Sequence, residues 1–432
     1  MAPEPAQVTG SGPHPLRLVG AGSVLPGQGR TCRTRHDLWD VLRSGQTQLS
    51  PFSHAALPLR IAGQVQDWDV TAETGVPERI ARRMARVTAL SMGAVQNALA
   101  DAGLEPTDLN DDRSALIIAS MQYAFQEAGR YFAAYNQGGP ATLGMDYWLT
   151  GTPGSVASGI CSLLGIHAQT LSITGGCNCS MRALEIATTM IEARTIDRAV
   201  VVGADATLDP IFLASTVHEG KRGFRASTLS SDPWAVRPHD EHQDGNAPGE
   251  GALAVVLESE RARAPADGTG VRLWFRSSRN NGQNPVDSGT ADNFVHDVRH
   301  LLDRSGVTLA DLAFVNGFAE GTRNIEDLFC DVLTALRTSF GYDGNLLLSN
   351  QEAVFGHISG CAGLLKFLSS ALMFRNGAIT PVTGCRTPYS RLPASPVTGR
   401  GVPIVGRHAL LISSGAGGDA TSVLMEYHEG DR

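Results

Sequence analysis

The stretch Ser172-Ile-Thr-Gly-Gly-Cys-Asn-Cys-Ser-Met-Arg-Ala-Leu184 decides the fold of this chain. We predict that Cys177 lies on a sharp turn between a strand and a helix. An apolar segment and a Gly-Gly pair precede it, and a helical pattern follows it as far as Ala193. N–H groups at a helix start, together with the helix dipole, stabilise a thiolate over a thiol. We interpret Cys177 as the candidate nucleophile, although an isolated cysteine is more commonly buried and inert. Cys179 faces away from it and is assigned a structural role.

Short apolar runs beside glycines alternate with helical patterns along the chain. The apolar runs predict buried strands at 16–19, 115–119, 199–202, 252–257, 312–315, 346–348, 409–412 and 422–425. The helical patterns predict helices over 35–44, 78–102, 180–193, 324–338 and 361–375. Because the strands are apolar throughout and alternate with helices, we expect an α/β fold whose sheets are covered on both faces.

The unit that contains Cys177 occurs a second time. Gly176-Cys177 is followed by a helix, a buried strand and a later closing strand. Gly356-His357 is followed by the same elements. A duplicated unit places Cys177 and His357 at equivalent helix starts, related by a pseudo-two-fold axis. A single histidine is more often a core residue, but this position opposite Cys177 favours a role in the site. The long excursion at 208–248 is expected to form loops over its entrance.

Composition excludes several classes of protein. The chain has 432 residues, of which 42% are hydrophobic and 18% charged, so it is globular. A net charge of −8 does not favour a nucleic-acid partner. No apolar run approaches the roughly 18 residues of a membrane-spanning helix, and the start lacks the features of a secretory signal. Seven scattered cysteines favour reduced thiols, so we expect a cytoplasmic protein with no membrane association.

The chain resembles the β-ketoacyl-acyl carrier protein synthases of fatty acid and type II polyketide assembly. In that family the nucleophile is followed by small residues, an apolar residue and Ala-Leu, which selects Cys177 over Cys179. The resemblance runs nearly end to end. It is carried by the stretch 16–27, Ala62-Gly-Gln-Val-Gln-Asp-Trp-Asp, Asp101-Ala-Gly-Leu, Pro238-His-Asp-Glu-His-Gln-Asp-Gly with Gly249-Glu-Gly, Gly356-His-Ile-Ser-Gly-Cys-Ala-Gly and Gly415-Ala-Gly-Gly.

The resemblance implies a thiolase-like, duplicated αβαβα layered fold. A flexible tail at 1–15 would precede an N-terminal half at 16–260, which carries the nucleophilic cysteine. A C-terminal half at 261–432 would carry the active-site histidine. Family members pair through a large surface, so we expect a homodimer, with a heterodimer of two ketosynthase-like subunits as the alternative.

Three positions depart from the family pattern. In the family, two histidines and a lysine support the enolate that remains when CO₂ leaves a malonyl thioester. His357 matches the second histidine, but Phe318 stands at the first, Glu352 at the lysine, and Ala416 at a gating phenylalanine. Phe318 cannot donate a hydrogen bond, and the loss of such a donor typically lowers a rate by about 10²–10³. Glu352 is an anion that would favour an imidazolium or orient a neutral imidazole.

These departures predict a ketosynthase-like acyltransferase of polyketide or other secondary metabolism. An acyl group would arrive on the phosphopantetheine of an acyl carrier protein or of coenzyme A, with no further cofactor, and be captured on Cys177. The N–H groups of Cys177 and Ala416 would hold the oxyanion. His357 would then activate a hydroxyl, amine or thiol acceptor without loss of CO₂. The alternatives are a decarboxylating β-ketoacyl synthase that uses Glu320, and a non-catalytic partner subunit of the chain-length-factor type.

Four further features of the sequence allow more than one interpretation. We interpret Glu320 as a solvated turn carboxylate rather than a replacement acid or base. The histidines and carboxylates of the 238–244 motif are assigned no metal. Arg79, Arg82, Arg83 and Arg86 form a basic stripe, where an acidic carrier protein could dock. The pocket lining is expected from the aromatic-rich region 120–148.

Overall fold

The computed structural model describes residues 12–217, 224–262, 269–278 and 288–428. Most of the predicted tail at 1–15, and part of the excursion at 208–248, lie outside these residues. The strands are β1 (Leu16–Leu25), β2 (Cys32–Thr34), β3 (Ser50–Pro51), β4 (Ile61–Ala62), β5 (Ser114–Ala119), β6 (Gln169–Ile173), β7 (Arg198–Ala206), β8 (Glu250–Ser259), β9 (Thr269–Ser277), β10 (Leu312–Asn316), β11 (Leu347–Ser349), β12 (Ala378–Ile379), β13 (Ser395–Pro396), β14 (Val402–Pro403), β15 (His408–Ser414) and β16 (Ala420–His428).

The helices occupy the segments between these strands. They are α1 (Arg35–Ser44), α2 (Val70–Thr74), α3 (Glu78–Ala81), α4 (Arg86–Asp101), α5 (Phe125–Gly138), α6 (Asp146–Thr150), α7 (Ser155–Leu164), α8 (Cys179–Glu192), α9 (Pro210–Val217), α10 (Arg225–Leu229), α11 (Ala291–Ser305), α12 (Arg323–Phe340), α13 (Glu352–Phe355) and α14 (Ala362–Asn376). Within the described part of the chain, no helix is both long enough and apolar enough to cross a membrane.

The sheet shows the same strand order twice. Within the described residues, twelve strands form one hydrogen-bonded sheet in the order β13-β11-β10-β15-β16-β9-β1-β8-β7-β5-β6, with β2 beside β1. On one side of the β1–β9 junction the order is β6-β5-β7-β8-β1, and on the other it is β11-β10-β15-β16-β9. In both, the first three strands are parallel, and the last two alternate in direction. The topology is therefore that of a duplicated fold.

The structure has five layers, as the helices that pack on each face of the strands show. On β5, Ala115 and Ile117 belong to the apolar cluster that contains α8 and α14, whereas Leu116 and Ile118 belong to the cluster that contains α4 and α7. The central cluster also takes side chains from β10, β15 and β16, so α8 and α14 lie between the two halves of the sheet. Helices α11 and α12 cover the far side of the second half. The predicted αβαβα layering is confirmed.

The predicted helix over 78–102 is wrong in its first part. The structure breaks it into α3 and α4, because Ala85 is buried with extended backbone angles (φ −64°, ψ 140°). The break lets Arg86, the first residue of α4, reach Glu250 on β8 with its guanidinium. The four arginines of the predicted stripe therefore do not share one helix.

The two central helices start in close contact because glycine lies at their crossing. A Cβ atom at Gly363, in the first turn of α14, would stand 2.5 Å from the backbone nitrogen of Met181 in α8. A Cβ atom at Gly203 on β7 would stand 2.5 Å from the carbonyl oxygen of Gly360. The absence of side chains at these two positions lets backbone approach backbone. The segments that precede α8 and α14 are thereby brought to the same point.

We expect Gly363→Ala to destabilise the fold. In an ordinary helix interior this change stabilises by up to about 1 kcal/mol, but the clash with Met181 should lower the free energy of unfolding by about 1–3 kcal/mol. Gly129→Ala in α5 is the matched control, since its Cβ would meet nothing nearer than Ile211 Cδ1 at 3.7 Å. Urea unfolding of both variants checks this. Equal midpoints for the two variants would contradict it.

Candidate active site

Cys177 and His357 meet between the starts of α8 and α14. Cys177 lies two residues before α8, and its Sγ is 2.9 Å from His357 Nε2. His357 follows Gly356, whose φ of 74° turns the chain back after α13. The backbone N–H of His357 donates to the carbonyl of Ala247, and its carbonyl accepts from Gly249. The end of the 208–248 excursion therefore fixes the position of the histidine.

A chain of alternating charges extends from Cys177. His357 Nδ1 lies 3.0 Å from Glu352 Oε2, so this nitrogen carries the proton and Nε2 faces the sulfur. Glu352 Oε1 lies 3.5 Å from Lys366 Nζ on α14. Glu352 and Lys366 are both more than nine-tenths buried. Lys366 was not singled out from the sequence, and it places a cation beside Glu352.

The pKa shifts follow from these contacts. Burial opposes the imidazolium, but the charges of Cys177 and Glu352 and their hydrogen bonds outweigh it and raise the pKa of His357 well above its usual range. Burial would also raise the pKa of Glu352, yet the charge and hydrogen bonds of His357 and Lys366 lower it to about 2. The arrangement therefore holds an imidazolium between the sulfur of Cys177 and a carboxylate.

Glu320 is part of the same site. Its Oε2 lies 3.5 Å from His357 Nδ1, and its Oε1 accepts a hydrogen bond from Thr322 Oγ1 at 3.0 Å. The interpretation of Glu320 as a solvated turn carboxylate is wrong, because only about a fifth of the side chain is exposed and it faces the cavity of Cys177. Burial, opposed by the charge of His357 and reinforced by that of Glu352, raises the pKa of this carboxyl. The sequence named Glu320 as a possible acid or base, but it does not show which way a turn residue faces, so the solvated interpretation was preferred.

The cavity at Cys177 has a volume of about 190 Å³ and one apolar wall. Phe318 forms that wall. Its ring stacks on Phe294 with centroids 5.0 Å apart and meets Phe329 edge-on at 5.2 Å. The cavity is lined by Cys177, Ser288, Phe318, Glu320, Ile325, Glu352, His357, Ala362, Lys366, Ser413, Ser414, Gly415 and Ala416.

The backbone around Ala416 lies against the nucleophile turn. A Cβ atom on Gly176 would stand 3.1 Å from the Ala416 nitrogen, and one on Gly415 would stand 3.3 Å from the Cys177 nitrogen. Among the described residues, neither Cys177 N–H nor Ala416 N–H has a hydrogen-bond acceptor. Because Cys177 and Ala416 also line the same cavity, both N–H groups are available to donate to an oxyanion there, and their role as the oxyanion hole stays a prediction.

Other predicted residues lie elsewhere. None of the described residues that line the Cys177 cavity comes from 120–148; two residues of that region, Asp146 and Tyr131, are instead hydrogen-bonded to each other. Arg86 is bound to Glu250, so the basic stripe is reduced to three arginines. His239 of the 238–244 motif pairs with the buried Glu326. Cys179 is fully buried, and burial raises the pKa of its thiol well above the usual range.

Comparison with known proteins agrees with this geometry. Residues 14–263 match the family model described as the N-terminal domain of β-ketoacyl synthases. The tetracenomycin polyketide synthase ketoacyl synthase alpha subunit of Streptomyces glaucescens is 27% identical over 394 residues, which cover 86% of this chain and 87% of that protein. The matched family segment exceeds half of the chain, and the layered fold and the cysteine–histidine pair accord with it. The chain belongs to the β-ketoacyl synthase family.

Solved structures give the same fold. A β-ketoacyl synthase from Burkholderia phymatum has a TM-score of 0.81 at 18% identity and covers 96% of this chain and 100% of its own. The ketosynthase of a type II polyketide synthase, solved in complex with its acyl-carrier protein, has a TM-score of 0.80 at 17% identity. The match covers 96% of this chain and 99% of that one. Identities this low establish the thiolase-like architecture alone, so the activity is argued from the site.

Glu352→Gln should lower the pKa of His357. The charges of Cys177 and Glu352 raise the pKa of His357 above the usual histidine range, and an amide at position 352 cannot replace the second of these charges. The histidine should therefore lose its proton at a lower pH in the variant. NMR titration of protein labelled with ¹³C in its histidines, with His357 assigned from His357→Gln, measures the shift. Glu260→Gln, at an exposed residue after β8, is the control. An unchanged His357 titration in Glu352→Gln would show that the carboxylate does not hold the proton.

Proposed function

We propose that this chain is a ketosynthase-like acyltransferase of polyketide or other secondary metabolism. It takes an acyl group from a carrier-protein or coenzyme A thioester and passes it through Cys177 to a hydroxyl, amine or thiol acceptor. The observation that carries the proposal is the Cys177 Sγ to His357 Nε2 contact of 2.9 Å, backed by Glu352. Phe318 stands where a condensing enzyme of this family needs an enolate-stabilising histidine, so no CO₂ is lost in the reaction.

The two half-reactions need only groups that the site holds. In the first, the Cys177 thiolate attacks the thioester carbonyl, and the N–H groups of Cys177 and Ala416 stabilise the oxyanion. The phosphopantetheine sulfur leaves and takes the proton of His357 Nε2. In the second, the acceptor loses a proton to the now neutral His357 and attacks the acyl carbonyl. The C–S bond to Cys177 breaks, which restores the thiolate beside an imidazolium.

A decarboxylating β-ketoacyl synthase is the second candidate. The observation that favours it is Glu320, a carboxyl group in the cavity two residues from Phe318. A carboxyl that held its proton could donate to an enolate, although less well than a histidine paired with a second histidine. The non-catalytic alternative is disfavoured, because such partner subunits typically lack both the cysteine and the histidine that meet here.

Mass spectrometry of the intact protein tests the transferase proposal. After mixing with acyl carrier protein thioesters and with acyl-coenzyme A, we expect an acyl-sized gain that Cys177→Ala abolishes. Incubation with a malonyl thioester should release CO₂ no faster than a sample without enzyme. Release that depends on Cys177 would instead establish the condensing enzyme. A folded protein that gains no acyl group from any donor would contradict acyl transfer and leave the partner-subunit role.

A comparison of the two acyl donors tests whether the carrier protein docks on the exposed arginines. Arg79, Arg82 and Arg83 are exposed, and carrier proteins are acidic. In the same loading experiment, Arg83→Glu should slow acylation from the carrier protein more than acylation from coenzyme A. Arg400→Glu, at an exposed arginine in another part of the surface, should slow neither. Equal effects on both donors would contradict docking at this surface.

We expect a second subunit, in the first place a second copy of this chain, to cover one face of the molecule. Strand β6 is at the end of the sheet and pairs, within the described residues, with β5 alone. The neighbouring region 125–148 exposes large apolar side chains, with Phe132 63%, Met145 78% and Trp148 65% exposed. An open strand edge beside an apolar surface is typical of a face that a second subunit covers.

We expect sedimentation of the purified chain to give twice the mass of 45.7 kDa. The double variant Phe132→Asp, Met145→Asp should give the monomer mass, because it buries two charges in the interface. Val405→Asp is the control, since Val405 is 82% exposed outside this region. A wild-type chain that is monomeric by itself would contradict the homodimer and favour a heterodimer with a second ketosynthase-like subunit.

A further inference from the structure

The acyl-enzyme of the proposed reaction leaves one carboxyl group of the cavity without a charged partner. Acylated Cys177 carries no charge, His357 has given its proton to the leaving thiol, and Glu352 lies 3.5 Å from Lys366. Glu320 is the remaining carboxyl group. Among the described residues its only ion-pair contact is His357 Nδ1 at 3.5 Å, and that nitrogen already donates to Glu352 at 3.0 Å. An ionised Glu320 would therefore leave one negative charge without a cation.

A largely buried carboxyl group without a cation is unfavourable in its ionised form. Burial and the neighbouring charge of Glu352 raise the pKa of Glu320, while His357 and Lys366 lower it less than those two effects raise it. Thr322 Oγ1 donates to Oε1 and fixes the carboxyl against the cavity wall. A cation that entered the cavity would displace the proton and supply the missing charge. The site is thus prepared for a positively charged ligand.

We propose that the acceptor is a primary amine, which enters as an ammonium ion and is bound and deprotonated by Glu320. This inference rests on the acyl transfer proposed above and assigns its acceptor class. The apolar wall formed by Phe318 strengthens the attraction, because it excludes water from around the two charges. Once the bound cation has displaced its proton, the Glu320 carboxylate can also serve as the base for the ammonium ion.

Counting protons supports an amine over the other acceptors. A hydroxyl or a thiol loses one proton when it is acylated, and neutral His357 can take it. An ammonium ion loses two protons when it becomes an amide. The site holds two proton acceptors next to each other, Glu320 and His357. For a hydroxyl or thiol acceptor, Glu320 would have no role, although placing a carboxyl in a buried cavity is unfavourable.

The steps balance in atoms and charge. When the ammonium ion binds acyl-Cys177 enzyme, the Glu320 proton goes to solvent. Glu320 then takes one proton from the ammonium ion, and the free nitrogen lone pair attacks the acyl carbonyl. The second nitrogen proton goes to His357 Nε2 as the C–N bond forms and the C–S bond breaks. Over both half-reactions, a thioester and an ammonium ion give an amide, a thiol and one proton.

A chase of the acyl-enzyme tests the acceptor class. Enzyme is loaded with a hexanoyl phosphopantetheine thioester to a measured acylated fraction and then mixed with n-butylamine, n-butanol or n-butanethiol at equal concentration. Mass spectrometry follows loss of the acyl group and formation of the amide, ester or thioester. We expect the wild-type enzyme to favour the amine at least about 10-fold. Glu320→Gln should lower the amine rate by about 10²-fold and remove the preference.

Two further variants make the result specific. Glu320→Asp keeps the carboxyl on a shorter side chain and should restore part of the amine rate. Glu260→Gln removes a carboxyl from the exposed surface and should keep the wild-type preference. An amine rate in Glu320→Gln equal to that of the wild type, or a wild-type enzyme that acylates the alcohol or thiol as fast as the amine, would overturn the proposal. Failure of wild-type Cys177 to load at all contradicts acyl transfer itself, whereas loading without amine preference contradicts only the acceptor assignment.

Discussion

The close approach of two helix starts is the constraint on which the rest of the site depends. Gly363 lets the backbone of α14 contact Met181 in α8, and Gly203 lets the loop before α14 lie on β7. Only this approach places the residues that precede the two helices 2.9 Å apart, Cys177 Sγ to His357 Nε2. The duplicated sheet supplies the two equivalent helices, and the glycines supply the distance. The cysteine–histidine pair is therefore a property of the packing between the halves and does not belong to either half by itself.

The second level of organisation is electrostatic. Sulfur, imidazole, carboxylate and ammonium follow one another from Cys177 to Lys366, so each buried charge has an opposite neighbour. Such an arrangement keeps the sulfur of Cys177 beside an imidazolium. Phe318 adds an apolar wall on the side where the resemblance places a hydrogen-bond donor. This wall is the reason why we propose acyl transfer in place of a decarboxylating condensation.

The sequence predicted the parts of this site that repeat or follow a local motif. The α/β class and the strand–turn–helix at Cys177 follow from periodicity, the place of His357 opposite Cys177 follows from the repeated unit, and the layered fold follows from the family resemblance. Glu320 and Lys366 could not be located this way, because their roles depend on which side of a loop or helix faces the cavity. One feature of the sequence could have identified Lys366. The chain has only two lysines among its 35 Lys and Arg residues, and this one interrupts an apolar helix. The break between α3 and α4 was missed because a buried contact of Arg86 outweighs helical periodicity there.

The buried pair of Glu352 and Lys366 also bears on how such a site can arise by mutation. The resemblance places a lysine at position 352, and a lysine there with Lys366 unchanged would set two ammonium groups side by side in the interior. A glutamate at 352 without Lys366 would leave a buried anion with one partner fewer. Removing one member of a buried pair typically destabilises by about 3–5 kcal/mol, a large fraction of the stability of a folded protein. A change in the sign of the charge at position 352 is therefore tolerated only together with a matching change at position 366.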